Sequence, residues 1–342
     1  MAEDSRPKDR QINSSATPAV AQPSVHHGSK MVWHRGEQAA QERAGVARRM
    51  AEIGPRVLRA FMPGEHRAFF GHLPFVIVGS LDARGSPWAS VLSGPPGFIR
   101  SADPFSLDVS VLPEAGDPLA VNLVEGAPLG ILGIELTTRR RNRVNGRVKR
   151  VGNFGFSITV DQSFGNCPQY IHIRDYAGLS PAFASQPRVE IFEGLSQDAA
   201  ALFARADTCF VASAAVPGPG RADGVDASHR GGLPGFMKIR GDGTIELPDY
   251  RGNFFFNTLG NLLANPRIGL TVIDFDNGDV LQVTGDADII WEGSELAEHP
   301  GAQRLCRITT RHGVWLRGGF PLLTRMREMS PQAIATHAGS RS

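Results

Sequence analysis

One pattern of serine, glycine, proline and phenylalanine is written twice in this chain, and it constrains the fold more than any single motif does. Ser90, Gly94, Pro96, Gly97 and Phe98 recur as Ser228, Gly232, Pro234, Gly235 and Phe236, each displaced by 138 positions. The same displacement carries Pro128 to Pro266 and Leu132 to Leu270. One residue later in phase, Val144-Asn145-Gly146 maps onto Val283-Thr284-Gly285, and Cys167 maps onto Cys306. A long register with shared Gly and Pro is hard to obtain by chance, so the spacing predicts a duplicated domain.

Each copy reads as short strands joined by turns. An apolar strand opens it, at Phe75 to Ser80 and again at Cys209 to Ala214. The second copy then holds one short helix over Asn257 to Asn265. Leu259, Leu262 and Leu263 share its face, Asn257 or Thr258 suits the N-cap, and Pro266 stops it. Asp276-Asn277-Gly278 predicts a hairpin turn, and Asn145-Gly146 another in the first copy. Several short antiparallel strands with one helix at an end predict a small closed barrel. Gly36 to Phe61 reads as a helical leader broken at Gly54-Pro55, and Leu322 to Ala335 as a terminal helix. The expected division is a disordered leader over 1–32, a helical leader over 33–64, a first barrel over 65–190, a second over 195–330 and a tail over 331–342.

The bulk numbers exclude more than they assign. The 342 residues carry 36 basic and 34 acidic side chains, so no general field draws the chain to nucleic acid or to an acidic membrane. Three scattered cysteines without a CxxC pair argue against a disulfide framework or a zinc site. No metal cluster, Ser-His-Asp arrangement or paired carboxylates stand out, and His26 and His27 are isolated in the leader. No apolar run reaches the roughly 18 residues of a membrane helix. The expectation is a cytoplasmic protein with no nucleic-acid or membrane partner.

The two copies differ where an anion could sit. The second has His229-Arg230 where the first has Val91-Leu92, and Asn257-Thr258 where the first has Leu119-Ala120. A phosphate ester needs several donors and a full positive charge. Arginine supplies a planar fork of donors, and a helix start supplies free N–H groups. Ser228, His229, Arg230, Asn257 and Thr258 together make those parts, which places a single phosphate site in the second copy.

These segments resemble the pyridoxamine 5′-phosphate oxidase-related FMN-binding split-barrel family. The matching residues are Ala222 to Phe236, Leu247 to Asn253, Asn257 to Arg267 and Leu281 to Gly285. His34 to Glu37, Gly85 to Ser90 and Asn166 to Ile171 are similar to a two-domain branch of it. The resemblance implies a mainly β protein of two tandem split barrels forming an intramolecular pseudo-dimer, with FMN at the interface. It implies that Ser228, His229 and Arg230 contact the flavin phosphate, that Asn257 and Thr258 donate to it, and that Gln282 lies near the ring. The implied activity is an FMN-dependent oxidoreductase acting on a small organic substrate, or a reductase fed by NAD(P)H. No catalytic residue is assigned. The oxidase's Arg-x-Val-x-x-Lys strand is replaced by His229-Arg230-Gly231-Gly232, which speaks against vitamin B6 oxidation.

Two rival readings are a haem-binding or haem-degrading split barrel, with His172, His229 or His312 as axial ligand, and a non-catalytic flavin-binding protein. A homodimer of the whole chain is left open. Thr137 to Arg150 carries seven basic residues in fourteen. Its expected role is a charged outer face that blunts a sheet edge. The alternative is an anion site reaching across the interface. Cys167 and Cys306, at equivalent repeat positions, are expected to be packing residues.

Overall fold

A computed structural model describes Met1 and residues 32–180, 187–215, 220 and 222–338. Apart from Met1 and Val32, the expected disordered leader lies outside the described residues, His26 and His27 with it. Among the described residues, no helix is long and apolar enough to cross a membrane.

Two antiparallel sheets form the body. The first contains β1 (Phe75–Leu81), β2 (Pro87–Ser93), β3 (Ile99–Arg100), β4 (Ser106–Val109), β5 (Pro128–Glu135), β6 (Arg140–Gly152) and β7 (Gly155–Gly165). They lie in the order β2-β1-β5-β6-β7-β4-β3. Next in the chain come β8 (Ile173–Leu179) and β9 (Arg188–Glu193). The second sheet contains β10 (Thr208–Ala214), β11 (Val225–Gly231), β12 (Lys238–Ile239), β13 (Ile245–Tyr250), β14 (Arg267–Asp274), β15 (Asp279–Ile290) and β16 (Ala302–Arg317). Its order, β11-β10-β14-β15-β16-β13-β12, repeats the first, and β9 adds to β16. Both sheets are open paths; the closed barrel expected from the short strands does not form, because their end strands do not pair with each other.

Pairing registers show where the sequence alignment of the copies slips. Val78 pairs with Ser90 and Ile131, and Val211 with Ser228 and Leu270, so Gly130 and Gly269 hold equivalent places. The change of phase therefore precedes β5, and Pro128 and Leu132 are not the partners of Pro266 and Leu270. Leu107 and Val109 pair with Ile158 and Phe156 on one sheet, as Ile245 and Leu247 pair with Ile308 and Cys306 on the other. Cys306 thus answers to Phe156, and the expected equivalence with Cys167 fails. The longer β15–β16 connection, with its 3₁₀ turn Ser294–Glu298, absorbs the difference. Asn145-Gly146 is a bulge inside β6, matched by the bulge at Thr284/Gly285, and does not turn a hairpin.

Alternate residues on the opening strands explain their unbroken apolar runs. Val76 and Val78 enter the first core, while Phe75 and Ile77 face the second half. Cys209 and Val211 enter the second core, while Phe210 and Ala212 meet Phe75 and Ile77 in the shared layer. A strand buried on both faces reads as continuous hydrophobicity rather than alternation.

The helices depart from expectation at two places. The leader forms α1 (Arg35–Arg43) and α2 (Ala47–Val57), and α2 continues through Gly54-Pro55. The break falls instead at Gly45, which has φ +70°. Next come α3 (Gly64–His72), the single turn α4 (Leu119–Asn122), and α5 (Gln197–Arg205). The expected helix of the second copy is present as α6 (Asn257–Ala264). Leu322–Glu328 is a strand, β17, paired with β8, and only Pro331–Ala338 is helical, as α7. Helix α1 lies directly on α6: a Cβ added to Gly36 would meet the Gly260 carbonyl, and one added to Gly260 would meet the Glu37 backbone at 2.6 Å.

Candidate functional site

The two halves meet in a cleft lined by β6 and the Asn166–Tyr170 segment on one side and by β11 and β13 on the other. Arg141 and Arg143 stand two residues apart on β6, so both side chains leave the same face of the sheet. They line the cleft together with His229 and Arg230 of β11. Gly231 permits the close approach, since a Cβ there would collide with the Tyr170 carbonyl oxygen. Tyr170 itself holds φ +65° and stacks on Tyr250, with ring centroids 5.2 Å apart and 22° between planes.

Charge in the cleft is unbalanced. Arg143 is 6% exposed; Arg141 is partly open, but its Nε is sealed from solvent. The Nε atoms of both arginines, the Asn166 Oδ1 and the His229 Nε2 are buried without hydrogen-bond partners. Burial pushes Arg141 down to about 9, and neighbouring Arg143 and Arg230 push the same way. Burial also moves Arg143 down to about 10, against the pull of Asp226. Both remain protonated at neutral pH. A charge held in a poor solvent without an opposite charge is costly. Arg230 has a carboxylate partner, Asp249 at 3.4 Å, which Arg304 shares at 2.9 Å. Among the described residues, the side chain of Arg141 has the His229 Nδ1 alone as a hydrogen-bond partner, at 3.3 Å.

That contact fixes the histidine. Arg141 can only donate, so Nδ1 accepts and the proton of the neutral ring sits on Nε2. Burial, reinforced by Arg141, His172 and Arg230, holds His229 well below the usual imidazole range. Two guanidiniums and one neutral imidazole thus wall the cleft, with their unpartnered nitrogens sealed below its surface.

Five of the six sequence-selected residues come together here, in two layers. His229 and Arg230 line the cleft. Behind them, Thr258 Oγ1 donates to Ser228 Oγ at 3.2 Å. Asn257 accepts from Arg143 Nη1 at 2.9 Å and donates to Glu37 Oε1 at 2.6 Å. The N-cap of α6 is neither Asn257 nor Thr258 but Phe256, at φ +61°, with no side-chain cap. Glu37 reaches this helix start from α1, and burial raises its carboxyl well above the usual range.

Gln282 lies elsewhere. Its amide donates to the Ala89 carbonyl at 2.9 Å, Asp117 Oδ2 at 3.1 Å and Ser90 Oγ at 3.2 Å. The paired registers make Gln282 the counterpart of Arg143. Each therefore reaches the helix start of the opposite half. In the first half that niche is filled from within: the Asp117 carboxylate accepts from Ser90 Oγ at 2.5 Å and from the Leu119 N–H at 2.8 Å.

Sequence reasoning did not select Asn166, and it held Arg141 and Arg143 only within the alternative of an anion site reaching across the interface. The available signal was the spacing Arg-x-Arg inside a strand, which puts two cations on one face. The expected charged outer face is found at Arg140, Arg147, Lys149 and Arg150, which are exposed or half-exposed, whereas Arg141 and Arg143 line the cleft and Arg139 packs against Ile171 and Glu328. Cys167 also lines the cleft, whereas Cys209 and Cys306 are buried. Among the described residues, no group of three or more His, Cys, Asp or Glu is placed to hold a metal ion.

No family model and no curated protein sequence matches the chain. Among solved structures it is similar to HupZ of Group A Streptococcus, at 14% identity over 37% of this chain and 98% of that one, with a TM-score of 0.29. A candidate pyridoxamine 5′-phosphate oxidase of Lactobacillus delbrueckii matches at 13% identity over 36% and 98%, with a TM-score of 0.27. An FMN-binding protein of Syntrophomonas wolfei matches at 14% over 32% and 78%, with a TM-score of 0.24. Likenesses this distant carry no argument about this chain's activity.

Proposed function

We propose that the cleft holds the phosphate of FMN, and that the chain is a flavin-dependent oxidoreductase built from two duplicated split-barrel halves that act as an intramolecular pseudo-dimer. The observation that carries this reading is Arg141, a half-buried cation with a sealed Nε, facing Arg143, Arg230 and a neutral histidine, with no carboxylate against it among the described residues. A phosphate dianion in the cleft would supply the missing charge to the guanidiniums that line it. The fit is to the phosphate end.

Within this reading the chain's own residues divide the work. Arg141 and Arg143 bind the phosphate from the first half, and His229 and Arg230 from the second. Ser228, Thr258 and Asn257 hold the wall behind them, with Asn257 fixing the Arg143 guanidinium. The contact between the halves excludes water from the arginine Nε atoms, which strengthens each charged hydrogen bond. When bound, FMN supplies hydride or electron transfer at its ring, to or from a small organic substrate or NAD(P)H. His172 is a poor axial ligand for the rival haem reading, since Ser330 N–H donates to its Nδ1 at 3.0 Å and its Nε2 faces the Gly232 carbonyl at 2.8 Å.

The test is the visible spectrum of the full chain after FMN is added and the excess removed. Two retained flavin bands, lost in Arg141→Gln, support the reading. A flavin-free spectrum at saturating FMN overturns it.

A further inference from the structure

A second cavity of about 250 Å³ shares Tyr250 with the cleft, and its lining mixes apolar side chains with Lys238, Glu298, His299, Thr336 and His337. Leu233, Pro234 and Phe236 wall one side, Pro300 and the α7 residue Ala333 contribute others, and Tyr250 belongs to both spaces. The charges around it are already balanced. Lys238 pairs with Glu298 at 3.4 Å, and Arg240 pairs with Glu298 at 3.0 Å and with Glu246 at 2.6 Å. Arg307 lies 3.4 Å from both Glu246 and Glu295. His299 Nε2 contacts Glu246 at 2.9 Å.

The unpaired buried polar atoms make the contrast. Among the described residues, four of the side chains that carry one line the cleft (Arg141, Arg143, Asn166 and His229), and none lines this cavity. An ionic ligand would find no unpaired charge here and would lose its hydration on entry. An uncharged ring would lose little and would gain contact with apolar and aromatic walls. Size permits it, since a dry cavity of about 150 Å³ accepts benzene.

We propose that this cavity is a binding site for an uncharged, flat aromatic compound of one or two rings, separate from the anion site. Its role as the place of the organic substrate rests on the flavin reading; binding there does not.

The test is titration of the full chain with 2-naphthol, followed by the naphthol's own fluorescence, with 2-naphthoate as the charged comparator. The expected result is saturable one-to-one binding of 2-naphthol and at least tenfold weaker binding of 2-naphthoate. Affinity should be unchanged in Arg141→Gln. It should fall at least tenfold in Leu233→Asp, at a part-exposed site that folding tolerates, and in Ala333→Leu, which fills the space. Binding that does not saturate, that both cavity variants leave intact, or that Arg141→Gln abolishes overturns the proposal. Flavin retention is read separately on the same samples. Loss of naphthol binding with FMN retained sinks this site alone, and the converse sinks only the flavin reading.

Discussion

Gly130 and Gly269 hold equivalent places in the two sheets, and each lets the opposite half's strand lie against it. A Cβ at Gly130 would run into the Val225 carbonyl and the Ala227 nitrogen of β11. One at Gly269 would meet the Pro87 carbonyl at 2.5 Å and Trp88 Cα at 3.0 Å, on β2. The halves therefore meet through backbone, twice, in reciprocal fashion. Since the obstacle is main chain on both sides, neither contact can relax by a rotamer change. Gly130→Ala and Gly269→Ala should each destabilise the fold by about 3 kcal/mol or more. Chemical denaturation of each variant measures this, and a loss under about 1 kcal/mol would show that the strands can part.

Removal of the uncompensated cation should separate stability from binding. Arg141→Gln deletes a charge that burial disfavours and leaves no carboxylate stranded. The ligand-free variant should be as stable as the parent or more so, by about 1 kcal/mol. Its affinity for FMN should fall at least tenfold. Thermal unfolding with and without FMN reads both effects, and equal ligand-induced stabilisation of parent and variant would deny Arg141 a place in the site.

His229 should act as a neutral donor. His229→Gln keeps an N–H donor of similar reach and should hold FMN within about threefold of the parent, whereas His229→Leu should lose about tenfold. Fluorescence quenching of FMN on binding gives both numbers. Equal losses in the two variants would mean that shape, not the donor, matters there.

Gln282 is expected to support the first half's niche rather than the ligand. Gln282→Ala should leave FMN affinity within about threefold while costing about 1–2 kcal/mol of stability, because it strips a donor from the buried Asp117 carboxylate. A selective loss of FMN affinity would return Gln282 to the site.

Asp117 should set an acid-range dependence of stability. Burial raises its carboxyl to about 6, against the pull of hydrogen bonds from Ser90, Leu119 and Gln282. The unfolded aspartate titrates near 3.9, so between the two values the folded chain holds the extra proton. Its contribution is therefore fully present below about pH 4 and is lost as pH rises through about 6, by about 3 kcal/mol in all. Asp117→Asn should flatten this segment of the stability curve. Denaturation midpoints at closely spaced pH values between 4 and 7 test it, and an unchanged slope would assign the titration to another group.

Much of this arrangement is legible in the residue order. The matched Ser-Gly-Pro-Gly-Phe segments anticipate two sheets of like topology, and the Leu259, Leu262 and Leu263 spacing anticipates α6. The asymmetry of Val91-Leu92 against His229-Arg230 points to one of the strands that line the cationic cleft. These features are local: hydrophobic periodicity, turn glycines and side-chain type act over a few residues and can be read along the chain. The Asn145-Gly146 bulge and the continuous α2 through Gly54-Pro55 defeat the same local rules. Strand pairing with β7 holds the first, and close contact between Gly54 and the Trp33 indole accompanies the second.

What the sequence by itself determined is the repeated strand pattern, the helix α6 of the second copy and the chemical difference between the halves, while α5 went unread. Tertiary structure alone decided that Arg141 and Arg143 face inward, that Gln282 serves the other niche, and that Cys167 and Cys306 are not equivalent. The reason is physical. A residue two places along a strand shares its face whatever the fold, but whether that face meets water or the other half depends on contacts between residues some 85–115 positions apart, such as Arg141 with His229 and Arg143 with Asn257.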